Sequence, residues 1–159
     1  MEIRDRLKNT VHPGEKYVIL GIGSILRSDD GAGMYFIELL RNLVKMDNLL
    51  LIEGSTAPEN FTGVIKDFAP DKLFIVDAAH MGLLPGETKV VPACDICGVS
   101  FSTHMLPLSV MLKYLESEAG CEVIFFGIQP HCTDQGLSMC KEVKDGTKRL
   151  AADFYNAFK

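Results

Sequence analysis

The stretch Tyr17-Val-Ile-Leu-Gly-Ile-Gly-Ser-Ile-Leu-Arg-Ser-Asp-Asp-Gly-Ala-Gly33 decides how this chain is to be folded. Its first five residues are a β-rich apolar run ending in glycine, which predicts a short buried strand. Its last three open residues 31–44, where Met34, Phe36, Ile37, Leu40, Leu43 and Val44 recur at helical spacing and predict a helix with one face packed inward. A strand, a loop and a helix in that order open an α/β unit.

The alternation continues outward from there. Residues 49–52 read as a second strand, 61–68 as a helix ended by Pro70, and 73–76 as a third strand running into Asp77. Residues 89–91 make a weaker strand, 107–118 a helix with Pro107 in its first turn, 123–126 a fifth strand, and 140–158 a long C-terminal helix. Strands apolar throughout, alternating with helices, predict an α/β fold with a mostly parallel five-stranded sheet covered on both faces, a three-layer αβα sandwich. Two long loops remain, 77–87 and 92–106, and loops of that length in a compact domain are commonly functional. In such sheets ligands sit beyond the carboxyl ends of the strands, where the winding reverses. The loops after the first and third strands are the places to look.

The whole chain sets bounds on this. With 159 residues, 47% hydrophobic and 23% charged, it is expected to form one domain, 1–159, with a core that needs no disulfides. A net charge of −5 argues against nucleic acid and anionic membrane as partners. No apolar run approaches the roughly 20 residues that span a bilayer, and residues 1–10 lack a signal-peptide core. The expectation is a cytoplasmic monomer without membrane insertion. Its five cysteines, Cys94, Cys97, Cys121, Cys132 and Cys140, are expected to be reduced thiols.

The loop between Gly21 and Gly33 could be mistaken for a dinucleotide loop. That pattern needs a third glycine at position 26, which is Leu26, and Asp29 and Asp30 would set two negative charges where a pyrophosphate must lie. An aspartate at a helix start can also cap the helix. Asp29 is assigned that role and Asp30 the chemistry, although spacing alone leaves the two interchangeable. Asp77 by itself reads as a loop cap at the end of the third strand. If strands one and three are neighbours, it faces Asp30, and two facing carboxylates repel unless they share a proton or a cation. A divalent-metal site is the physical expectation. His104, in Ser102-Thr-His-Met-Leu-Pro107, would complete a set of one nitrogen and two oxygens, suited to nickel, zinc or iron with positions left for substrate or water.

At these residues the sequence resembles a known family. Gly21-x-Gly-x-x-Leu-x-x-Asp-Asp-Gly-x-Gly33, Phe74-Ile-Val-Asp-Ala78, Ser102-Thr-His-x-x-Pro-Leu108 and Phe126-Gly-Ile-Gln-Pro130 together resemble the nickel-iron hydrogenase maturation endopeptidases. The last two blocks are similar to the hydrogenase 3, or formate-hydrogenlyase-type, branch. The resemblance runs from about Tyr17 into the C-terminal helix. It implies that Asp30, Asp77 and His104 bind nickel, or a surrogate metal in isolated protein, and that the strand at Lys89 is the one antiparallel strand. It also implies an endopeptidase that removes the C-terminal extension of a nickel-iron hydrogenase large-subunit precursor after nickel insertion. The nickel then comes with the substrate as a recognition element. Where the family usually has Asn, this chain has Ser24, which can still make local turn hydrogen bonds.

Rival readings are weaker. Cys94-Asp-Ile-Cys97 is half a zinc motif whose other half would need Cys132, Cys140 or His131 without regular spacing. A Cys132–His131 catalytic pair is disfavoured because sequence neighbours rarely face each other. No His-Glu-x-x-His helix is present. The alternative from another class is a non-enzymatic metal or small-ligand binding protein on the same fold.

Overall fold

Strand β1, Tyr17–Ile22, is buried at all six positions, so it must be covered on both faces. The covering follows from strand alternation. Tyr17 and Ile19 of β1, with Phe74 and Val76 of β3 (Lys72–His80), face one cluster; Val18, Leu20, Leu73 and Ile75 face the other. The first cluster is closed by α1 (Ile3–Thr10), α2 (Ala32–Leu43) and α5 (Lys141–Phe158). The second is closed by α3 (Thr62–Phe68) and α4 (Leu108–Ala119). Phe74 anchors the first, with ring centroids 5.8 Å from Tyr17, 5.8 Å from Phe126 and 5.6 Å from Phe154. Each such ring withdrawn from water stabilises the fold by about 1.5–3 kcal/mol. The structure is a computed structural model that describes residues 2–92, 100–101, 108–136 and 138–159.

The sheet runs β2-β1-β3-β6-β4, with β2 at Leu49–Ser55, β6 at Glu122–Ile128 and β4 at Thr88–Val91. The pairs β1–β2, β1–β3 and β3–β6 are parallel, and β4 pairs antiparallel with β6. The mostly parallel αβα sandwich is therefore as expected, with the antiparallel strand at Lys89. From β1 the chain winds outward to β2 through α2, then returns through α3 to β3 on the other side of β1. The winding reverses between β1 and β3, so the crevice lies at their carboxyl ends.

Three local features differ from expectation. Residues 3–10 form a helix although their sequence gives little sign of one. Leu7 is its one large buried side chain, so α1 depends on packing against α5 rather than on its own periodicity. Strand β3 does not stop at Val76. It continues to His80, because β6 pairs with it through Ala78 and β5 (Ser100–Phe101) adds an antiparallel pair at Ala79 and His80. Asp77 is thus inside β3, not at its end. It is, however, the first residue beyond the ladder shared with β1, whose last pair is Gly21 with Val76.

Candidate active site

Two glycines let the backbone reach this crevice. A Cβ on Gly33 would press on the carbonyls of Ile22 and Val76, so the start of α2 lies directly against β1 and β3. Gly23 has φ +139°, a conformation side chains resist, and a Cβ there would drive into the carbonyl of Asp30. That same position lies 3.7 Å from Asp77 Oδ1. Gly23 is the point where the turn bearing Asp30 and the strand bearing Asp77 meet.

The turn is closed by its own hydrogen bonds. The Ser24 amide donates to Asp30 Oδ2 at 3.0 Å, Leu26 N to Ser24 Oγ at 3.3 Å, Arg27 N to the Ser24 carbonyl at 3.2 Å, and Asp30 N to the Arg27 carbonyl at 3.0 Å. Ser24 accordingly makes the local turn bonds that its position requires. Asp30 ends up in a 3₁₀ turn, Ser28–Gly31, just before α2, and is wholly buried. Asp77 is also wholly buried.

Asp29 does something other than cap α2. The α2 cap is Gly31, with no side-chain bond, and the Asp29 carboxylate turns to the segment after β6. Its Oδ2 accepts from the amides of His131 at 2.8 Å and Cys132 at 2.9 Å and from the Cys140 thiol at 3.4 Å; its Oδ1 accepts from the Cys140 amide at 2.8 Å. Ser28 Oγ and Asp29 N donate to the Cys132 carbonyl at 2.6 and 3.1 Å. Three backbone amides thus take up the Asp29 charge. The two aspartates that spacing could not separate meet different partners: Asp29 the 131–140 segment, Asp30 the Ser24 amide.

The segment after β6 is pinned a second time. Gln129 is buried, and its Oε1 accepts from Met81 N at 2.7 Å and Leu83 N at 3.3 Å. It ties the loop after β3 to the end of β6. The motif Phe126-Gly-Ile-Gln-Pro130 marked this segment, but only the fold shows what Gln129 holds. A cavity of about 370 Å3 opens beside the turn, lined by Ile25, Ser28, Gly31, Tyr35 and Met139 among others.

His104 lies outside the described residues, as do Cys94 and Cys97. Helix α4 ends just before β6 starts at the amino edge, so α4 begins toward the carboxyl edge, on the face that Asp77 shares with Leu73 and Ile75. Among the described residues no group of three His, Cys, Asp or Glu side chains forms a metal cluster. Asp30 and Asp77 bring two hard oxygen donors, which suit a divalent cation that takes its other ligands elsewhere. Cys121 and Cys140 make poor nucleophile candidates. Burial pushes the thiols of Cys121 and Cys140 up, and the Asp29 carboxylate adds to this at Cys140.

The family model of the HycI hydrogenase maturation proteases matches residues 34–156. The hydrogenase 3 maturation protease of Escherichia coli is 37% identical over 134 residues, covering 84% of this chain and 85% of that protein. Among solved structures, the nickel-iron hydrogenase maturation protease HycI of Thermococcus kodakarensis superposes with a TM-score of 0.87 at 32% identity, covering 96% and 98% of the two chains. The endopeptidase HycI of Escherichia coli gives 0.79 at 35% identity, covering 89% and 90%.

Proposed function

The chain belongs to the hydrogenase maturation protease family and is an endopeptidase of that kind, and we propose that it removes the C-terminal extension of a nickel-iron hydrogenase large-subunit precursor once nickel is in place. The observation that carries this reading is that Asp30 and Asp77 are both buried at the crevice where the sheet reverses, with the backbone of Gly23 set between the Asp30 carbonyl and Asp77 Oδ1.

Two carboxylates that face each other would favour a cation between them. In this reading the cation is the precursor's own nickel, and Asp30, Asp77 and His104 contact it while the remaining ligands stay with the precursor. A precursor without nickel lacks the cation that these side chains would contact, so it docks poorly. That makes the metal a checkpoint. Bound there, nickel also acts as a Lewis acid that polarises the scissile carbonyl or a water. Asp29 cannot replace Asp30 in this role, because three backbone amides of the 131–140 segment already occupy both of its oxygens. The protein works as a cytoplasmic monomer, and the metal arrives with the substrate rather than as a resident cofactor.

The test uses purified protein with nickel-loaded and nickel-free precursor, and mass spectrometry to read loss of the tail. Cleavage of the loaded form alone is expected. Equal cleavage of both forms would overturn the checkpoint while leaving the protease activity standing.

A further inference from the structure

Among the described residues, the three most exposed large hydrophobic side chains are Ile25 at 74%, Leu84 at 70% and Leu26 at 69%. All three lie at the carboxyl edge of the sheet. Ile25 and Leu26 are in the loop after β1, and Leu84 is in the loop after β3, so they sit on the two loops that flank Asp30 and Asp77. Leu43 and Met46, toward the amino edge beyond the far end of α2, are less exposed at 49% and 40%. Val110, Val64, Tyr114 and Tyr155 are less exposed too. Single exposed aliphatics are ordinary, but that the three most exposed share the functional edge is not scattered decoration.

These side chains stand on braced backbone. Ile25 and Leu26 are part of the turn closed by Ser24 and Asp30, and the Leu26 carbonyl accepts from Gly136 N at 3.0 Å. Leu84 N donates to Glu87 Oε2 at 2.9 Å, and the same loop is tied to Gln129 through Met81 and Leu83. A loop held by that many hydrogen bonds presents its aliphatic groups in a fixed geometry instead of folding them away. Ile25 also forms one wall of the cavity beside the turn.

We infer that Ile25, Leu26 and Leu84 form an apolar docking rim around the buried acid pair, and that its occupant is the folded precursor whose cleavage is proposed above, on which this inference rests. The fit is one of charge and polarity together. The acids at the centre are the side chains proposed above to meet the precursor's metal, and the aliphatic collar calls for apolar surface around it. A short unfolded tail would need neither. A folded protein presenting a metal close to its surface supplies both. A standard interface buries about 800 Å2 on each partner, about a tenth of the 7992 Å2 this chain exposes, enough to extend over both loops.

The rim is tested with wild type, the double variant Ile25→Ser/Leu26→Ser, Leu84→Ser and, as a control at the other edge, Leu43→Ser. The Kd for immobilised nickel-loaded precursor is measured beside KM and kcat for tail removal, with circular dichroism to confirm the fold. For the double variant, Kd and KM should rise about tenfold or more while kcat stays within about twofold, because docking is lost and the reacting groups are untouched. Leu84→Ser should raise both by about threefold and Leu43→Ser should change neither. Wild-type Kd and KM in the double variant would overturn the rim and leave the proposed activity intact. So would a wild-type dimer by gel filtration that the double variant dissociates, since the aliphatics would then serve a second copy of this chain. A wild type that neither binds nor cleaves the loaded precursor would overturn the activity itself and the rim with it.

Discussion

At the amino end of β1 and β3, Lys72 reaches the Glu15 carboxylate, and the Tyr17 hydroxyl shares the same oxygen at 2.6 Å. At the carboxyl end of the same two strands, Asp29, Asp30 and Asp77 are gathered within one turn and one strand, all wholly buried. The first cluster matches charge with charge: a lysine and an acid neutralise each other at the rim of the sheet. In the second, like charges are collected, and one of the three, Asp29, is stabilised by backbone amides rather than by a side chain of opposite sign. The difference separates a cluster that closes a fold from one that prepares a site. Opposite charges lower the energy of the folded chain by themselves, whereas buried carboxylates need hydrogen-bond donors or a cation to meet them.

The contrast is broken most directly at Asp30 and Asp77. Asp30→Asn or Asp77→Asn should cut removal of the tail from nickel-loaded precursor by about 10²-fold or more, the scale of losing a preorganised electrostatic partner. Both variants should stay folded, because asparagine keeps the shape of aspartate and, at position 30, an oxygen for the Ser24 amide. A variant that turns over at the wild-type rate would remove that residue from the site.

Asp29→Asn sharpens the distinction between neighbours. The asparagine would set an NH2 group against an amide that the carboxylate now accepts, so about 3 kcal/mol of stability should go, as for bonds from a buried charged acceptor. The Cys140 thiol, now hydrogen-bonded to Asp29, should alkylate faster in the variant. Unchanged stability and unchanged thiol reactivity would mean that the 131–140 segment is held by something else.

Gly23→Ala should follow in size. It places a Cβ against the Asp30 carbonyl at φ +139°, and about 2 kcal/mol is the expected cost, read as a melting point lower by roughly 5 °C. Cleavage should fall as well, since the turn that carries Asp30 must shift. Wild-type melting and turnover would show that the approach at Gly23 is looser than this geometry.

The smallest effect belongs to the amino end. Glu15→Gln should cost about 1 kcal/mol or less, typical of a partly exposed ion pair, and leave cleavage unchanged. Its pH signature has a definite sign. The hydrogen bonds from Lys72 and Tyr17 hold the Glu15 carboxyl below its usual 4.5, so the pair's stabilisation is present above that value and is lost as pH falls through the folded-state pKa. Wild type should therefore lose stability faster than Glu15→Gln below about pH 4.5. Tyr17 gives the opposite window. Burial, with the bond to Glu15, pushes its hydroxyl up to about 12 from 10, so its contribution is complete below pH 10 and is lost as pH rises toward 12. Parallel acid and alkaline stability profiles for wild type, Glu15→Gln and Tyr17→Phe would erase the contrast from this side.

The sequence by itself determined the αβα sandwich, because apolar runs and helical spacing are local signals that survive without neighbours. It also carried the short list on which Asp30 and Asp77 stand, since both follow predicted strands at the edge where ligands collect, and Ser24 proved able to close the turn. Tertiary structure alone decided that the two adjacent aspartates take different partners. Asp29 finds its partners at His131, Cys132 and Cys140, more than a hundred residues away, and no local pattern encodes bonds over that separation. The same holds for β3 running past Asp77, which depends on its pairing with β6 and β5. It holds for α1 too, a helix whose one large buried side chain, Leu7, becomes stabilising only when α5 lies beneath it. Local propensity proposes the elements, but a buried charge is stable only where distant backbone comes to meet it.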